Sequence, residues 1–165
     1  MINDQKTTAT AHLIFGFIGA GKTTFARKLE AQTGAMRITK DEWLIRLFGH
    51  DPAIDGFEKY DEAITGLSFD IALQALAAGA DVIIDDGFWV RTQRDEIRRR
   101  IAGIGARAKL YYVQCSEETM RKRIRLRNEN LTEDTFLVDD ALYESYLKYF
   151  DEPGDDEDYI VVDSN

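Results

Sequence analysis

Short, mostly apolar stretches alternate along the chain with longer segments whose apolar residues recur at helical spacing. The stretches with the length and composition of buried strands are residues 11–17, 36–39, 81–86, 109–115 and 159–163. A strand that is apolar at nearly every position is buried on both faces, which is typical of parallel sheets covered by helices. The pattern therefore predicts an α/β fold with a parallel sheet.

The segments between these strands have apolar residues three and four positions apart, which predicts helices. The predicted helices cover residues 22–34, 41–49, 58–78, 91–105, 116–128 and 140–150. Gly34, Gly49 and Gly79 are suited to end three of them. Residues 1–10 are polar and are expected to form a flexible tail, whereas residues 11–165 are expected to form a single domain.

Charge, cysteine content and hydropathy argue against nucleic-acid-binding, disulfide-bonded and membrane-spanning proteins. The chain has 165 residues and a net charge of −9, which argues against a long nucleic-acid interface. Most arginines lie between Arg91 and Arg127, and such a local basic region suits a small phosphorylated ligand. Cys115 is the single cysteine, so an intramolecular disulfide is excluded and a reducing, cytoplasmic location is expected. The sequence contains no apolar run of about 20 residues, so no membrane-spanning helix is predicted.

The segment GFIGAGKTT, Gly16–Thr24, has the spacing G-x-x-x-x-G-K-[ST] between a predicted strand and a predicted helix. Such a loop directs main-chain N–H groups at phosphate oxygens, and the helix N-terminus adds partial positive charge. Lys22 is expected to reach the β- and γ-phosphates, and Thr23 to coordinate Mg²⁺. We therefore expect ATP and Mg²⁺ as cofactors. The expected nucleotide-binding residues are Gly16, Gly19, Ala20, Gly21, Lys22, Thr23 and Thr24.

Several nucleotide-protein classes lack support. The guanine-reading motif N-K-x-D is absent, and the third predicted strand ends in Asp85-Asp86 rather than in the Asp-Glu of motor ATPases. A single domain of this size, with a basic helix late in the chain, indicates phosphoryl transfer. A chance glycine turn is the alternative explanation of the loop, and the flanking strand and helix disfavour it.

The stretches GFIGAGKTTFARKL, ITKDEW, VIIDDGFWVRTQRD, RKRIRLRN and FDEPGDDEDYIVVD cover most of the chain. On these stretches the chain resembles the small P-loop kinases related to polynucleotide 5′-kinase, chloramphenicol phosphotransferase and zeta toxin. It is more similar still to bacterial ATP-binding proteins described only as kinases. The resemblance implies a P-loop NTPase fold with a five-stranded parallel sheet in the order 2-3-1-4-5, an arginine lid and an acceptor cleft. It also implies transfer of the γ-phosphate of ATP to a hydroxyl of a small-molecule acceptor.

Two carboxylates are candidates for the acceptor chemistry. The resemblance implies that Asp41 accepts the proton of the attacking hydroxyl, which mainly orients the nucleophile. The alternative is that Asp41 caps the helix beginning at Glu42. Asp85, at the end of a buried strand, is expected to hold Mg²⁺, or to be the base if Asp41 is not. Asp86 is the less favoured of the strand-end pair.

The remaining acceptor-binding candidates are aromatic and basic. Beside Asp41, they are Trp43, Trp89, Arg91 and Arg94, which could frame a flat or anionic acceptor. The alternative is that the tryptophans pack in the interior and the arginines lie on the surface. Polynucleotide kinases place a second aspartate and an arginine after the base, where this chain has Glu42 and Leu44. That difference argues against a nucleic-acid acceptor.

The segment RKRIRLRN predicts a very basic helix. The resemblance implies that its Arg123 and Arg127 close over the γ-phosphate as charge develops. A solvated face or a nucleic-acid patch is the alternative for such a charge run. The acidic residues 155–158 are expected to lie against these arginines when no nucleotide is bound. The expected catalytic residues are Lys22, Asp41, Asp85, Arg123 and Arg127.

Three other functions stay open at this point. They are a polynucleotide 5′-hydroxyl kinase, a toxin-type nucleotide-sugar kinase and an ATP-binding regulator that transfers no phosphate. The sequence does not indicate the acceptor, a preference for ATP over GTP, or the oligomeric state.

Overall fold

A parallel sheet of five strands forms the centre of the protein. The computed structural model describes residues 8–51, 55–131 and 135–165. The strands are β1 Thr10–Phe15, β2 Met36–Thr39, β3 Val82–Gly87, β4 Arg107–Gln114 and β5 Ile160–Asp163. They lie in the order β2-β3-β1-β4-β5, and each pair is parallel. The predicted fold class and strand order are confirmed.

Helices connect successive strands. They are α1 Lys22–Thr33, α2 Lys40–Phe48, α3 Phe57–Ala77, α4 Arg91–Gly103, α5 Glu117–Glu129 and α6 Asp140–Leu147. The sequence placed the start of β4 two residues too late, because Arg107 and Ala108 also pair with β1. The sequence also placed the end of α6 three residues too late. The helix ends earlier because Lys148 and Tyr149 donate their N–H groups to the carbonyls of Ser145 and Tyr146, three residues back, rather than four residues back as in an α-helix.

Alternate residues of the strands build a core on each face of the sheet. In β1, Leu13 and Phe15 belong to the cluster that α3 and α4 cover, whereas Ile14 belongs to the cluster that α1 covers. These side chains are fully buried. Burial of each contributes about 1.5–3 kcal/mol relative to exposure. The two clusters therefore fix the register between neighbouring strands. That register brings the carboxyl ends of the strands together at one edge of the sheet.

The last residue of the predicted N-terminal tail, Thr10, is the first residue of β1. Residues 1–7 of the predicted tail lie outside the described residues, whereas Ala9 is buried and Thr10 begins β1. No helix that the structure describes is both long and apolar enough to cross a membrane.

The acidic loop before β5 lies against α4. Asp156 is 3.0 Å from Arg91, and Glu157 is 2.7 Å from Arg94. The expectation that residues 155–158 lie against the arginines of α5 is wrong, because the loop runs across α4 and its carboxylates pair there.

Candidate active site

A cleft of about 960 Å³ lies along the carboxyl ends of the strands. This is where ligands bind in open α/β sheets. The structure brings most of the predicted site residues into it. Those that line the cleft are Gly19, Gly21, Lys22, Thr23, Thr24, Asp41, Asp85, Asp86, Arg123 and Arg127.

The loop between β1 and α1 has the conformation that its glycines allow. Gly19 has a φ of 81° and Gly21, the N-cap of α1, a φ of 98°. A Cβ atom at Gly16 would collide with the main-chain oxygen of Val113 in β4. Ala20 N–H donates to the carbonyl of Phe17 at 3.2 Å, which closes a tight turn. The first turn of α1 therefore faces the cleft, and its N–H groups are suited to bind phosphate.

Lys22 begins α1 and is directed into the loop. Its Nζ donates to the carbonyl oxygen of Phe17 at 3.1 Å. Burial lowers the pKa of Lys22, although the charges of Asp85 and Asp41 oppose that effect. A cation held between a loop carbonyl and carboxylates can exchange the carbonyl for a phosphate oxygen with little movement.

Asp85 at the end of β3 is buried and accepts a hydrogen bond from Thr23. Its Oδ2 atom is also buried and has no hydrogen-bond partner among the described residues. A buried carboxylate oxygen without a partner is costly, so a ligand is expected there. A magnesium ion with its water shell fits this pair, because Mg²⁺ prefers oxygen ligands and usually binds one or two protein groups plus phosphates. In the described part of the chain, no group of three or more His, Cys, Asp or Glu residues could hold a metal.

Asp85→Asn is expected to raise the free energy of unfolding of the nucleotide-free protein at pH 7 by about 1–3 kcal/mol. Burial raises the pKa of Asp85 from 3.8 to about 6, although Lys22 and Thr23 oppose the shift. The folded protein therefore binds this proton more tightly than the unfolded chain. The resulting stability is complete below the ordinary pKa and is lost as the pH rises through about 6. The asparagine side chain of the variant does not ionise, so the variant does not lose this stability as the pH rises.

Urea unfolding at pH 7 and at pH 4.5 measures this difference. The advantage of the variant over the wild type should shrink at the lower pH. A variant that is less stable than the wild type at both pH values would show that Asp85 is a structural carboxylate.

Asp41 lies in the first turn of α2, where Thr39 is the N-cap residue. The alternative that Asp41 caps the helix is therefore wrong. Asp41 lines the cleft, and burial raises its pKa, although Lys40 and Lys22 oppose the shift. A raised pKa makes a carboxylate a better proton acceptor than an ordinary aspartate.

The two lid arginines of the predicted basic helix occupy different places. Arg123 donates to the carbonyl oxygens of Gly19 and Ala20 at 3.4 and 3.3 Å and to Ser164 Oγ at 3.1 Å. Its guanidinium therefore lies on the phosphate loop itself. Arg127 lines the cleft, and its charge acts on both Lys22 and Asp41. Arg127 is thus the arginine at the junction of the phosphate and acceptor sides.

The structure places the two tryptophans behind the cleft rather than in it. Trp89 Nε1 donates to the carbonyl oxygen of Gly16 at 3.2 Å, and its ring packs on Phe17 and Tyr146. Trp43 packs against the apolar cluster under α3. Neither side chain lines the cleft, so their placement favours the packing alternative.

Arg91 and Arg94 also lie away from the cleft. Arg94 is fully buried, and its Nε and Nη2 atoms donate to the two carboxylate oxygens of Glu157 at 2.9 and 2.7 Å. Arg91 pairs with Asp95 and Asp156. The placement of both arginines runs against an acceptor-binding role, because their guanidiniums are bound by carboxylates of the fold.

Sequence reasoning did not single out Ser164, which lines the cleft, or Lys40, whose partner Asp86 lines it. Ser164, just after β5, bonds to Arg123 and to the carbonyl of Ala20. Lys40 lies 2.8 Å from Asp86. Ser164 belongs to no motif, and the only signal for Lys40 was its position directly before Asp41.

A family model described as AAA domain matches residues 12–153, most of the chain. The chain belongs to this family. Its phosphate loop and its five-stranded sheet in the order 2-3-1-4-5 agree with the P-loop NTPase fold that the resemblance implied. No curated protein matches the sequence.

Solved structures share the fold of this chain at low sequence identity. A chain of the Pnkp1/Rnl/Hen1 RNA repair complex matches with a TM-score of 0.71 and 20% identity, over 89% of this chain and 45% of that one. A sugar kinase from Janibacter sp. HTCC2649 matches with a TM-score of 0.64 and 20% identity, over 94% and 85%. Kti12 from Chaetomium thermophilum, in complex with ADP-AlF3, matches with a TM-score of 0.73 and 18% identity, over 93% and 88%. The chain thus spans less than half of the RNA repair chain, and these likenesses show the shared fold.

Proposed function

We propose that this P-loop kinase transfers the γ-phosphate of ATP to a hydroxyl group of a small-molecule acceptor. The observation that carries the proposal is that the carboxylates of the partly buried Asp41 and the buried Asp85 share one cleft with Lys22 and the phosphate loop. A protein that only binds nucleotide needs the loop and the lysine. It does not need a second carboxylate of raised pKa beside them.

The residues divide into a phosphate side and an acceptor side. The loop N–H groups and Lys22 bind the phosphates, and Arg123 and Arg127 neutralise charge as it develops on the γ-phosphoryl group. Thr23 and Asp85 would hold Mg²⁺, which, when bound, would reduce the negative charge of the phosphate groups. Asp41 orients the acceptor hydroxyl and takes its proton. A bond then forms between the hydroxyl oxygen and the γ-phosphorus, the bond to the β-phosphate oxygen breaks, and ADP leaves.

Asp41→Asn is expected to lower kcat for phosphate transfer by about 10²–10⁴-fold, since an amide cannot accept the proton. The Kd for Mg·ADP should stay within about twofold of the wild-type value, because Asp41 does not bind the phosphates in this scheme. Calorimetry with Mg·ADP and a coupled ADP-release assay measure the two quantities. Transfer at the wild-type rate would move the base role to Asp85.

The dependence of wild-type kcat on pH is a second test of the role of Asp41. Because burial raises the pKa of Asp41, wild-type kcat should fall on the acid side at a pH above the ordinary pKa of an aspartate.

Likeness to the RNA repair chain favours one second candidate, a polynucleotide 5′-hydroxyl kinase. Two residues of α2 argue against it. Glu42 lies 2.9 Å from Arg37, and Leu44 is fully buried, so neither is placed to bind a nucleic-acid phosphate. Incubation with γ-labelled ATP and a 5′-hydroxyl oligonucleotide distinguishes the two functions. Label on the oligonucleotide would establish the second candidate.

A further inference from the structure

Lys40, the first residue of α2, has a side chain that is only 12% exposed. Its Nζ lies 2.8 Å from Asp86 Oδ1 and 3.0 Å from Asp61 Oδ1, and it donates to Thr65 Oγ1 at 3.1 Å. A lysine ammonium has three N–H donors and no acceptor. Three polar groups from outside α2 therefore account for all of its hydrogen-bonding capacity.

The three partners come from two different elements. Asp61 and Thr65 are one turn apart on α3, whereas Asp86 follows Asp85 at the end of β3. Lys40 thus joins the long helix on the acceptor side to the strand that carries the metal-site carboxylate. The link is mostly buried, which makes such an ion pair less sensitive to salt than a surface pair.

Asp86 is the partner that reaches the cleft. It lines the cavity beside Asp41, and its side chain is 7% exposed. The contact with Lys40 uses one lone pair of Oδ1, and an ionised carboxylate can accept about four hydrogen bonds. Asp86 therefore keeps the capacity to accept a hydrogen bond from a ligand while Lys40 fixes its orientation.

We propose that Lys40 is a positioning residue that holds the Asp86 carboxylate on the acceptor side, where it accepts a hydrogen bond from a second hydroxyl group of the acceptor. This inference rests on the proposed kinase function and adds the class of acceptor, a neutral polyhydroxyl compound. An acceptor carboxylate at this point would face Asp86, while the charge of Lys40 is already shared by Asp86 and Asp61. Such like-charge contacts are strongly disfavoured in a site of low dielectric constant.

The charge of Lys40 is better explained by this role than by a purely structural one. A buried ion pair contributes little to stability compared with apolar side chains of similar size, so stability alone is a weak reason for a lysine here. A lysine that orients a ligand-binding carboxylate has a reason to be charged, since a nearby positive charge favours the ionised form of the carboxylate that it fixes.

The test uses the full chain with Lys40→Met, Lys40→Arg and the control Lys109→Met, an exposed lysine in β4. The acceptor probes are sorbitol, D-glucose, D-ribose and adenosine, with D-gluconate as the anionic match for sorbitol and water as the blank. Three quantities are measured for each protein: the melting temperature, the Kd for Mg·ADP, and kcat and KM for each probe.

The wild type should phosphorylate at least one neutral probe with a kcat/KM about tenfold or more above that for gluconate. Lys40→Met should lose about tenfold or more of the kcat/KM for that neutral probe, with a Kd for Mg·ADP within about twofold of wild type. Lys40→Arg, which keeps the charge, should recover part of the loss, and it serves as the working variant if Lys40→Met does not fold. Lys109→Met should behave as the wild type.

Other outcomes contradict the inference. They are a Lys40→Met variant as active as the wild type, equal losses in nucleotide affinity and turnover, or gluconate used as well as sorbitol. A wild type that hydrolyses ATP with water but phosphorylates no neutral probe contradicts the acceptor class. A wild type that binds Mg·ADP but consumes no ATP at all contradicts the proposed kinase function instead.

Discussion

Lys22→Ala is expected to lower the kcat of ATP turnover by about 10²–10³-fold or more, because it removes a preorganised charge from the position of the developing phosphate charge. The structure places Lys22 at the start of α1 with its Nζ on a carbonyl of the phosphate loop and with Asp85 and Asp41 as the nearby acids. Steady-state ADP release measures the effect.

The same substitution should leave the fold intact. Burial lowers the pKa of Lys22, which means that the folded protein holds its charge less favourably than the unfolded chain does. Removing the amine should therefore leave the melting temperature unchanged or raise it. Lys109→Ala, an exposed lysine of β4, is the control for both quantities. Wild-type turnover by Lys22→Ala would contradict the assignment of the loop as the site of phosphate transfer.

Arg94→Ala is expected to lower the free energy of unfolding by about 3–5 kcal/mol, because it removes the buried bidentate partner of Glu157 and leaves that carboxylate with only the partly exposed Arg98 and Arg91 at 3.3 and 3.7 Å. Both side chains have an exposure of 0% and are joined by two hydrogen bonds. Arg94 also donates to the carbonyls of Phe88 and Asp151 at 3.0 and 3.1 Å. Phe88 has a φ of 47°, an unfavourable conformation for a bulky residue that these contacts help to hold.

Arg99→Ala is the matched control on the same helix. Arg99 is 74% exposed and pairs only with the neighbouring Glu96 among the contacts that the structure describes. Its loss should change the free energy of unfolding by about 0.5 kcal/mol or less. The double variant Arg94→Met with Glu157→Leu should be more stable than Arg94→Ala alone, since it leaves no buried charge. Equal effects of Arg94→Ala and Arg99→Ala would contradict the structural role of the pair.

Features that depend on local order in the chain could be predicted from the sequence. The phosphate loop, the five strands, the position of Asp41 shortly after β2 and that of Asp85 near the end of β3 all follow from short motifs and hydrophobic periodicity. Parallel strands bring their carboxyl ends to one edge, so residues at those ends meet whatever the details of packing. This is why the shared cleft was predictable.

Features that depend on which distant side chains meet could not be predicted. Arg94 and Glu157 are 63 positions apart, and the motif R-T-Q-R gives no sign that one arginine is buried and the other is not. Lys40 meets Thr65 across 25 positions for the same reason. Trp89 was ambiguous because an aromatic residue beside a site can serve either packing or binding, and only its tertiary contacts with Gly16, Phe17 and Tyr146 distinguish the two.

The fate of the γ-phosphate tests the central claim most directly. The protein is incubated with Mg²⁺, γ-¹⁸O-labelled ATP and the neutral hydroxyl compounds, and the products are analysed by mass spectrometry, with Lys22→Ala as the blank. We expect the labelled phosphoryl group on an organic hydroxyl, in an amount equal to the ADP formed. Label that stays in ATP, or that appears only as inorganic phosphate with every acceptor, would contradict the assignment of this protein as a phosphotransferase.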